Sequence, residues 1–318
     1  MNGNFVETNS LSDMSVKNAL SSSSRCVRLG TRGSTLARWQ ANWTAEQLNA
    51  QGIAAEIVVI QTSGDLIQGE SIVNIGAQGV FTKEIQHALL DNKIDIAIHS
   101  LKDLPTEYVS GLSLIAVPKR ESYRDAFISL IAENIDDLPQ DSRIGTGSLR
   151  RKTQVLHHFS NKYQVEDIRG NVETRLRKLE QGKYDALILA EAGLLRLGFA
   201  DSIRSYLEPP FFLPAIGQGA LGWEIRTADT QMAELLQPLN DVATWTAVLA
   251  ERAMLRELRG GCSAPIAALG TVNNSTLTLH GRILSPDGKQ MFDRVQSAPL
   301  TDDPELLGVS VAQDLGNY

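Results

Sequence analysis

The sequence is poor in the residues that build metal and disulfide sites. It has only two cysteines, Cys26 and Cys262, and five histidines, with neither an HExxH pair nor a C-x-x-C. Two thiols cannot make a multi-cysteine zinc site or a disulfide framework, so no metal ligand is expected. Long apolar runs are also missing. A membrane-spanning helix needs roughly 18 or more consecutive apolar residues, and the most apolar stretch, 186–200, is broken by Glu191 and Arg196. Nor is there a basic excess: 30 basic against 37 acidic residues give a net charge of −7. That balance argues against a general nucleic-acid or anionic-membrane binder. Residues 1–24 are rich in Ser and Asn, with Glu7 and Asp13 against Lys17. They lack the basic start and apolar core of a secretory signal and the Arg-rich, acid-poor look of a transit peptide. They are expected to be a disordered extension, and the cytoplasm is the expected compartment.

What is present is a chain of ordinary globular composition: 318 residues, 42% hydrophobic and 21% charged. That length suggests two or three domains and a core that needs no staple. Arginine outnumbers lysine 20 to 10, a useful bias because guanidinium forms planar paired hydrogen bonds to carboxylates and phosphates. The arginines are unevenly placed. Between Arg143 and Lys178 the local balance is +6, so the remainder sums to −13. Two solvated helix faces would explain that window equally well.

From Arg25 onward strands and helices alternate. Strands are predicted at 26–30, 57–60, 94–99, 114–117, 126–130, 143–145, 165–168 and 186–189. Helices are predicted over 34–50, 81–90, 148–158 and 172–180. Continuous apolar strands separated by helices imply mainly parallel sheets covered on both faces. A third block starts with a long helix, 242–258, passes Gly260-Gly261-Cys262, and gives strands near 265–269 and 276–284 and a helix over 304–315. The fold class is α/β with a small α+β C-terminal domain.

In open α/β sheets ligands sit beyond the carboxyl ends of the strands, and the unusual polar residues fall there. The strand IDIAIH runs into Ser100, Lys102 and Asp103. RIGTG runs into Thr146, Ser148, Arg150 and Arg151, EDI into Arg169, Gly170 and Asn171 with Arg175 a turn later, and strand 27–30 into Arg32 and Ser34. Helix starts offer free N–H groups and a positive dipole end, so three anion sites on two sheets suggest one ligand with many negative groups. Each piece also has a plain explanation. Gly145–Ser148 reads as a turn with an N-cap serine, Arg150-Arg151 as a solvated helix start, Lys102-Asp103 as a surface ion pair, and Cys262 as a small buried hydrophobe. A phosphate would suit the helix starts, but GTGSLRR lacks the P-loop spacing.

The motifs TRGSTLARWQ (31–40), TSGD (62–65), VFTKEIQHALL (80–90), IDIAIHSLKDLPT (94–106) and YRDAF (123–127) stand in one order with four more. These are GTGSLRRKTQ (145–154), IRGNVETRLRKLEQGKYDALILAEAGLLRLG (168–198), PAIGQGALGWEIR (214–226) and AERAMLRELRGGCSAPIA (250–267). Together they cover nearly everything from Arg25 onward, and the chain closely resembles the porphobilinogen deaminase family. The resemblance implies two periplasmic-binding-protein-like domains, 26–118 returning at 219–238 and 123–213, followed by a third domain, 241–318. It implies a transferase of porphyrin and heme biosynthesis that joins four porphobilinogen molecules head to tail with loss of ammonia, then releases hydroxymethylbilane by hydrolysis.

The resemblance also assigns residues. A dipyrromethane cofactor would be fixed by a thioether to Cys262 and held by Ser100, Lys102, Thr146, Ser148, Arg150, Arg151 and Arg169. Substrate carboxylates would meet Arg32, Ser34, Arg169, Arg175, Arg196 and Gln218. Asp103 would hydrogen-bond pyrrole N–H groups, stabilise positive charge and assist proton transfer. A monomer is expected, with porphobilinogen as substrate, the product passed to uroporphyrinogen-III synthase, and neither nucleic acid nor membrane as partner. Three positions depart from the family pattern: Gln78 lacks the usual charge, Gly147 replaces a serine, and Trp223 is unusually bulky. The competing reading is a non-catalytic, two-lobed solute-binding module for a polycarboxylate. The third domain and Cys262 distinguish the two.

Overall fold

The computed structural model describes residues 26–61, 82–260 and 264–316. The expected extension 1–24, the TSGD motif, Gln78 and Cys262 lie outside the described residues. Three sheets organise the rest. The first lobe is built on β1 (Val27–Thr31), β2 (Ala55–Val59), β3 (Ile96–Ser100) and β4 (Leu112–Ala116), with helices α1 (Thr35–Ala50) and α2 (Lys83–Leu90). The second contains β5 (Asp125–Ser129), β6 (Arg143–Gly145), α3 (Leu149–Phe159), β7 (Gln164–Glu166), α4 (Val172–Glu180), β8 (Ala186–Ala190), α5 (Glu191–Arg196) and β9 (Ser205–Leu207). The chain then returns to the first sheet as β10 (Leu221–Arg226) before α6 (Thr230–Leu236). The third unit packs α7 (Val242–Glu257) and α8 (Pro304–Gly316) on the antiparallel meander β11 (Ile266–Asn273), β12 (Thr276–Leu284) and β13 (Met291–Pro299).

The sheet orders are β2-β1-β3-β10-β4 and β7-β6-β8-β5-β9. Both lobes and the small C-terminal sheet are as expected, and the parallel expectation holds for β2-β1-β3 and β7-β6-β8. The sheets as wholes are mixed, because β10 runs antiparallel to β3 and β4, and β5 antiparallel to β8 and β9. The reason is connectivity. A strand that enters a sheet from the other lobe comes in at the cleft end and runs against the strands that leave there. No helix among the described residues is long and apolar enough to cross a membrane.

Local sequence explains the cleft-facing helix starts. Ser34 and Ser148 have extended backbones and cap α1 and α3 by accepting from the N–H of Ala37 and Arg151, and Asn171 caps α4 by accepting from Thr174. Such caps satisfy N–H groups that a helix leaves orphaned. The buried face of α1 is Gln40, Ala41, Thr44 and Leu48 rather than a purely apolar stripe. Gln40 can be buried because its Nε2 donates to Ser100 Oγ at 2.7 Å. Trp223 is fully buried in the first lobe, its ring 6.4 Å from that of Trp43. The bulk that departs from the family pattern is therefore core packing.

Two buried charged residues fasten the third unit. Glu251 on α7 accepts from Arg120 and from the backbone N–H groups of Gly217 and Gly270, at 2.6–2.9 Å for the shortest contact to each. Arg282 on β12 grips Asp293 and donates across to Gln154 Oε1 and the carbonyls of Pro210 and Phe211. A carboxylate or guanidinium buried this way is tolerable only when nearly every hydrogen-bonding position is filled.

Candidate active site

A cavity of about 260 Å³ opens where the three units meet. Its walls come from the turn after β3 (Leu101–Thr106), Gly147, Ser148, Arg150 and Arg151 at the start of α3, Arg175 on α4, Ala215, Ile216 and Gln218 of the crossing segment, and Arg252, Leu255, Gly260, Ala264 and Ile266 of the third unit. Among these residues Lys102, Arg150, Arg151, Arg175 and Arg252 carry positive charge and Asp103 alone carries negative charge.

The first lobe contributes a 3₁₀ turn, Leu101–Asp103, directly after β3. Leu101 is buried, which turns Asp103 outward as an exposed carboxylate and leaves Lys102 half-buried between the two. Burial pushes the Lys102 ammonium below its ordinary range, with Asp103 opposing and Arg151 reinforcing the shift. An incoming carboxylate would reverse that shift by restoring a counter-charge.

The second lobe contributes the arginine pair. Arg150 and Arg151 are 4% and 6% exposed, so they are not a solvated helix start. Both reach Asp125, the first residue of β5. Arg150 Nη1 donates to Oδ2 at 2.7 Å, and Arg151 Nε and Nη2 donate to Oδ1 at 3.0 and 2.8 Å. Burial alone would raise the Asp125 pKa, but the two guanidinium charges outweigh it and hold the carboxyl well below the usual carboxylate range. Gln218 is fully buried and completes the cluster. Its Nε2 donates to Asp125 Oδ1 and to the carbonyls of Tyr123 and Arg124, leaving Oε1 toward the guanidiniums at 3.4 and 3.5 Å. Among the described residues, Arg150 Nε is buried without a hydrogen-bond partner. Arg150 is one of the residues lining the cavity, and a guanidinium with an unfilled donor suits an anionic group.

The other expected residues fall at different depths. Thr146 is buried, its Oγ1 accepting from Ser148 N–H. Arg175 donates through Nε to Gly170 O at 2.8 Å, and burial with Arg151 and Arg169 nearby lowers its pKa to about 10. Arg169 is exposed and paired with Asp167 at 2.7 Å. Arg196 donates to Gly219 O at 2.7 Å and lies 5.7 Å from the Trp39 ring, its pKa lowered to about 10 by burial. The cavity wall thus includes Lys102, Asp103, Ser148, Arg150, Arg151, Arg175 and Gln218 of the expected set, while Arg32, Ser34, Ser100, Thr146, Arg169 and Arg196 are not part of it. Gly147 follows from its surroundings, since a Cβ there would meet Ile168 O at 2.9 Å.

Sequence reasoning did not single out Asp125 or Arg252. Arg252 donates to Leu104 O at 3.0 Å and Pro105 O at 2.7 Å, which ties α7 to the turn that presents Asp103. Burial lowers its pKa to about 10. Both residues stand inside quoted motifs, and buried charge within a motif was the signal that could have found them.

Comparison with known proteins identifies the family. The porphobilinogen deaminase dipyromethane cofactor binding domain matches residues 27–234, and the porphobilinogen deaminase C-terminal domain matches 245–317. A porphobilinogen deaminase of Trichlorobacter lovleyi is 50% identical over 91% of this chain and 92% of its own. Another, from Geobacter sulfurreducens, is 47% identical over 91% of each. Among solved structures, a methionine binding protein, MetQ, covers 72% of this chain and 94% of its own at 11% identity and a TM-score of 0.44. The relatives are enzymes by name, and a non-catalytic solute-binding module is not favoured. The chain belongs to the porphobilinogen deaminase family, whose cofactor is a dipyrromethane.

Proposed function

We propose that this chain carries out the hydroxymethylbilane synthase reaction, adding four porphobilinogen molecules in turn to a dipyrromethane held by a thioether at Cys262, with water finally releasing the linear product. The observation that carries this reading is the charge of the cavity: five cationic side chains around one exposed carboxylate, Asp103. Every pyrrole unit of such a chain brings an acetate and a propionate, so a polycarboxylate is the ligand this wall suits. The described neighbours of Cys262, Gly260 and Ala264, both line the cavity, which supports attachment there. When bound, the dipyrromethane supplies a nucleophilic pyrrole carbon that cannot diffuse away.

The protein's own groups then divide the work. Arg150 and Lys102 bind cofactor carboxylates, with Arg151 and Ser148 beside them, and Arg175 serves the incoming unit. Ser100, Thr146 and Arg169 belong to the cofactor set, and Arg32, Ser34, Arg196 and Gln218 to the substrate set. The internal bonds of Ser100, Thr146 and Gln218 favour a supporting part for those three. Asp103 accepts hydrogen bonds from pyrrole N–H groups, stabilises the positive charge that develops as ammonia leaves, and takes up the proton shed on coupling. The reading divides the chain at 26–118 with 219–238, 123–213 and 241–318, and sheet membership supports it. It also includes a cytoplasmic monomer that hands its product to uroporphyrinogen-III synthase.

The test is the intact mass of the denatured protein with peptide mapping around Cys262. A dipyrromethane-sized excess on that peptide is expected. If Cys262 is unmodified and neither porphobilinogen nor preformed bilane adds mass, the reading fails.

A further inference from the structure

Resting on that reading, we propose that Asp125 is a positioning residue for the cofactor's carboxylates, holding Arg150 and Arg151 in an arrangement that offers Arg150 to the cavity. Side chains at consecutive helix positions do not face one another, yet both guanidiniums at the start of α3 converge on this one carboxylate. An ionised carboxylate has about four acceptor sites. Asp125 takes four donors, Arg151 Nε, Arg151 Nη2 and Gln218 Nε2 on Oδ1 and Arg150 Nη1 on Oδ2.

The consequence is unequal for the two arginines. Every side-chain nitrogen of Arg151 has an internal partner, its Nη1 donating to Ile188 O at 3.1 Å. Arg150 shares Nη1 between Asp125 and Leu213 O, and its Nε has no partner among the described residues. The cluster of two guanidiniums and one carboxylate keeps one net positive charge, and the side-chain nitrogen left without a partner is Arg150 Nε. Asp125 does not itself line the cavity and acts through Arg150, Arg151 and Gln218, which do.

Asp125→Asn tests this directly. Its amide would turn a donor toward one guanidinium, releasing that arginine from its aim. Three readouts apply: far-UV circular dichroism, the fraction of chains carrying the Cys262 adduct by intact mass, and KM against kcat for porphobilinogen. The expected result is a folded variant with adduct on less than a tenth as many chains as wild type, and a loaded fraction whose KM rises more than kcat falls. Asp125→Glu keeps the charge but moves it by one methylene, and is expected to fold with adduct occupancy reduced severalfold. A folded Asp125→Asn with wild-type occupancy and KM overturns the proposal. If that variant does not fold, wild-type occupancy in Asp125→Glu overturns it instead. Absence of an adduct from the wild-type chain supplied with porphobilinogen would count against the proposed function, whereas equal loading of wild type and variant counts only against Asp125.

Discussion

Each lobe receives one strand from across the cleft, and each of those strands buries a carboxylate. On β10 it is Glu224, which accepts from Gln86 Nε2 at 3.0 and 3.1 Å and lies 3.2 Å from His99 Nε2. On β5 it is Asp125, surrounded by Arg150, Arg151 and Gln218. The strands hold equivalent places, fourth in their sheets and antiparallel to both neighbours. Their partners differ in kind. An amide and an imidazole make a closed polar knot behind the first lobe's cleft, and that lobe shows the cavity Asp103. Two guanidiniums leave the second lobe with positive charge to present. One architecture thus supplies the acid, beside Lys102, from one side and the arginine pair from the other.

The comparison can be broken most severely at the outward acid. Asp103→Asn is expected to lower turnover by about 10²-fold or more while leaving the Cys262 adduct and the melting temperature near wild type, since the side chain is exposed. Steady-state rates with intact mass check both halves. The inward acid should show the reverse pattern. Asp125→Ala leaves two buried guanidiniums uncompensated and is expected to cost about 3–5 kcal/mol of stability in urea melts. Glu224→Gln removes no comparable counter-charge and should cost about 1–2 kcal/mol.

Acid titration sharpens the contrast further. The Asp125 pKa is held below its unfolded value of about 3.9. Its stabilisation is therefore complete above that unfolded value and is lost as pH falls through the folded value. The stability gap between wild type and Asp125→Asn should accordingly narrow in urea melts taken from pH 5 downward, and a constant gap would remove Asp125 from the acid response. The smallest effect is shared by both lobes. Ser34→Ala and Ser148→Ala each remove a helix cap and should cost about 1 kcal/mol apiece.

Much of this was legible in the chain because its signals are local. Helices 172–180 and 242–258 and strand 276–284 agree with the structure to within a residue, since apolar periodicity and caps act over a few positions. Polar residues after β3 and β6 pointed to the cleft because strand ends lie there in any α/β sheet. What stayed hidden is long-range. Asp125 reads as an ordinary strand start until Arg150, 25 positions on, and Gln218, 93 positions on, are brought against it. The return to the first domain at 219–238 is expected from the family resemblance, but the partners of β10 are not, and β13 escapes notice because its polar face lies on a sheet edge. Arg252 looks like one more charge on an amphipathic helix until α7 docks beside Leu104 and Pro105.

The two segments that cross between the lobes run side by side. Glu121 N–H donates to Gly219 O at 3.3 Å, and Gln218 reaches Tyr123 O and Arg124 O. Gly219 sits at φ +85°, where a Cβ would press into Ser122 O, so no residue other than glycine fits without prising the strands apart. A single connector would behave as a swivel, free to turn in any direction. A bonded pair behaves as a ribbon, stiff across its width and compliant only to bending and twist. Any opening or closing of the lobes would thereby be confined to a narrow family of paths. Because Gln218 belongs to both the ribbon and the Asp125 cluster, any such flexure is felt at the arginines of the cavity wall.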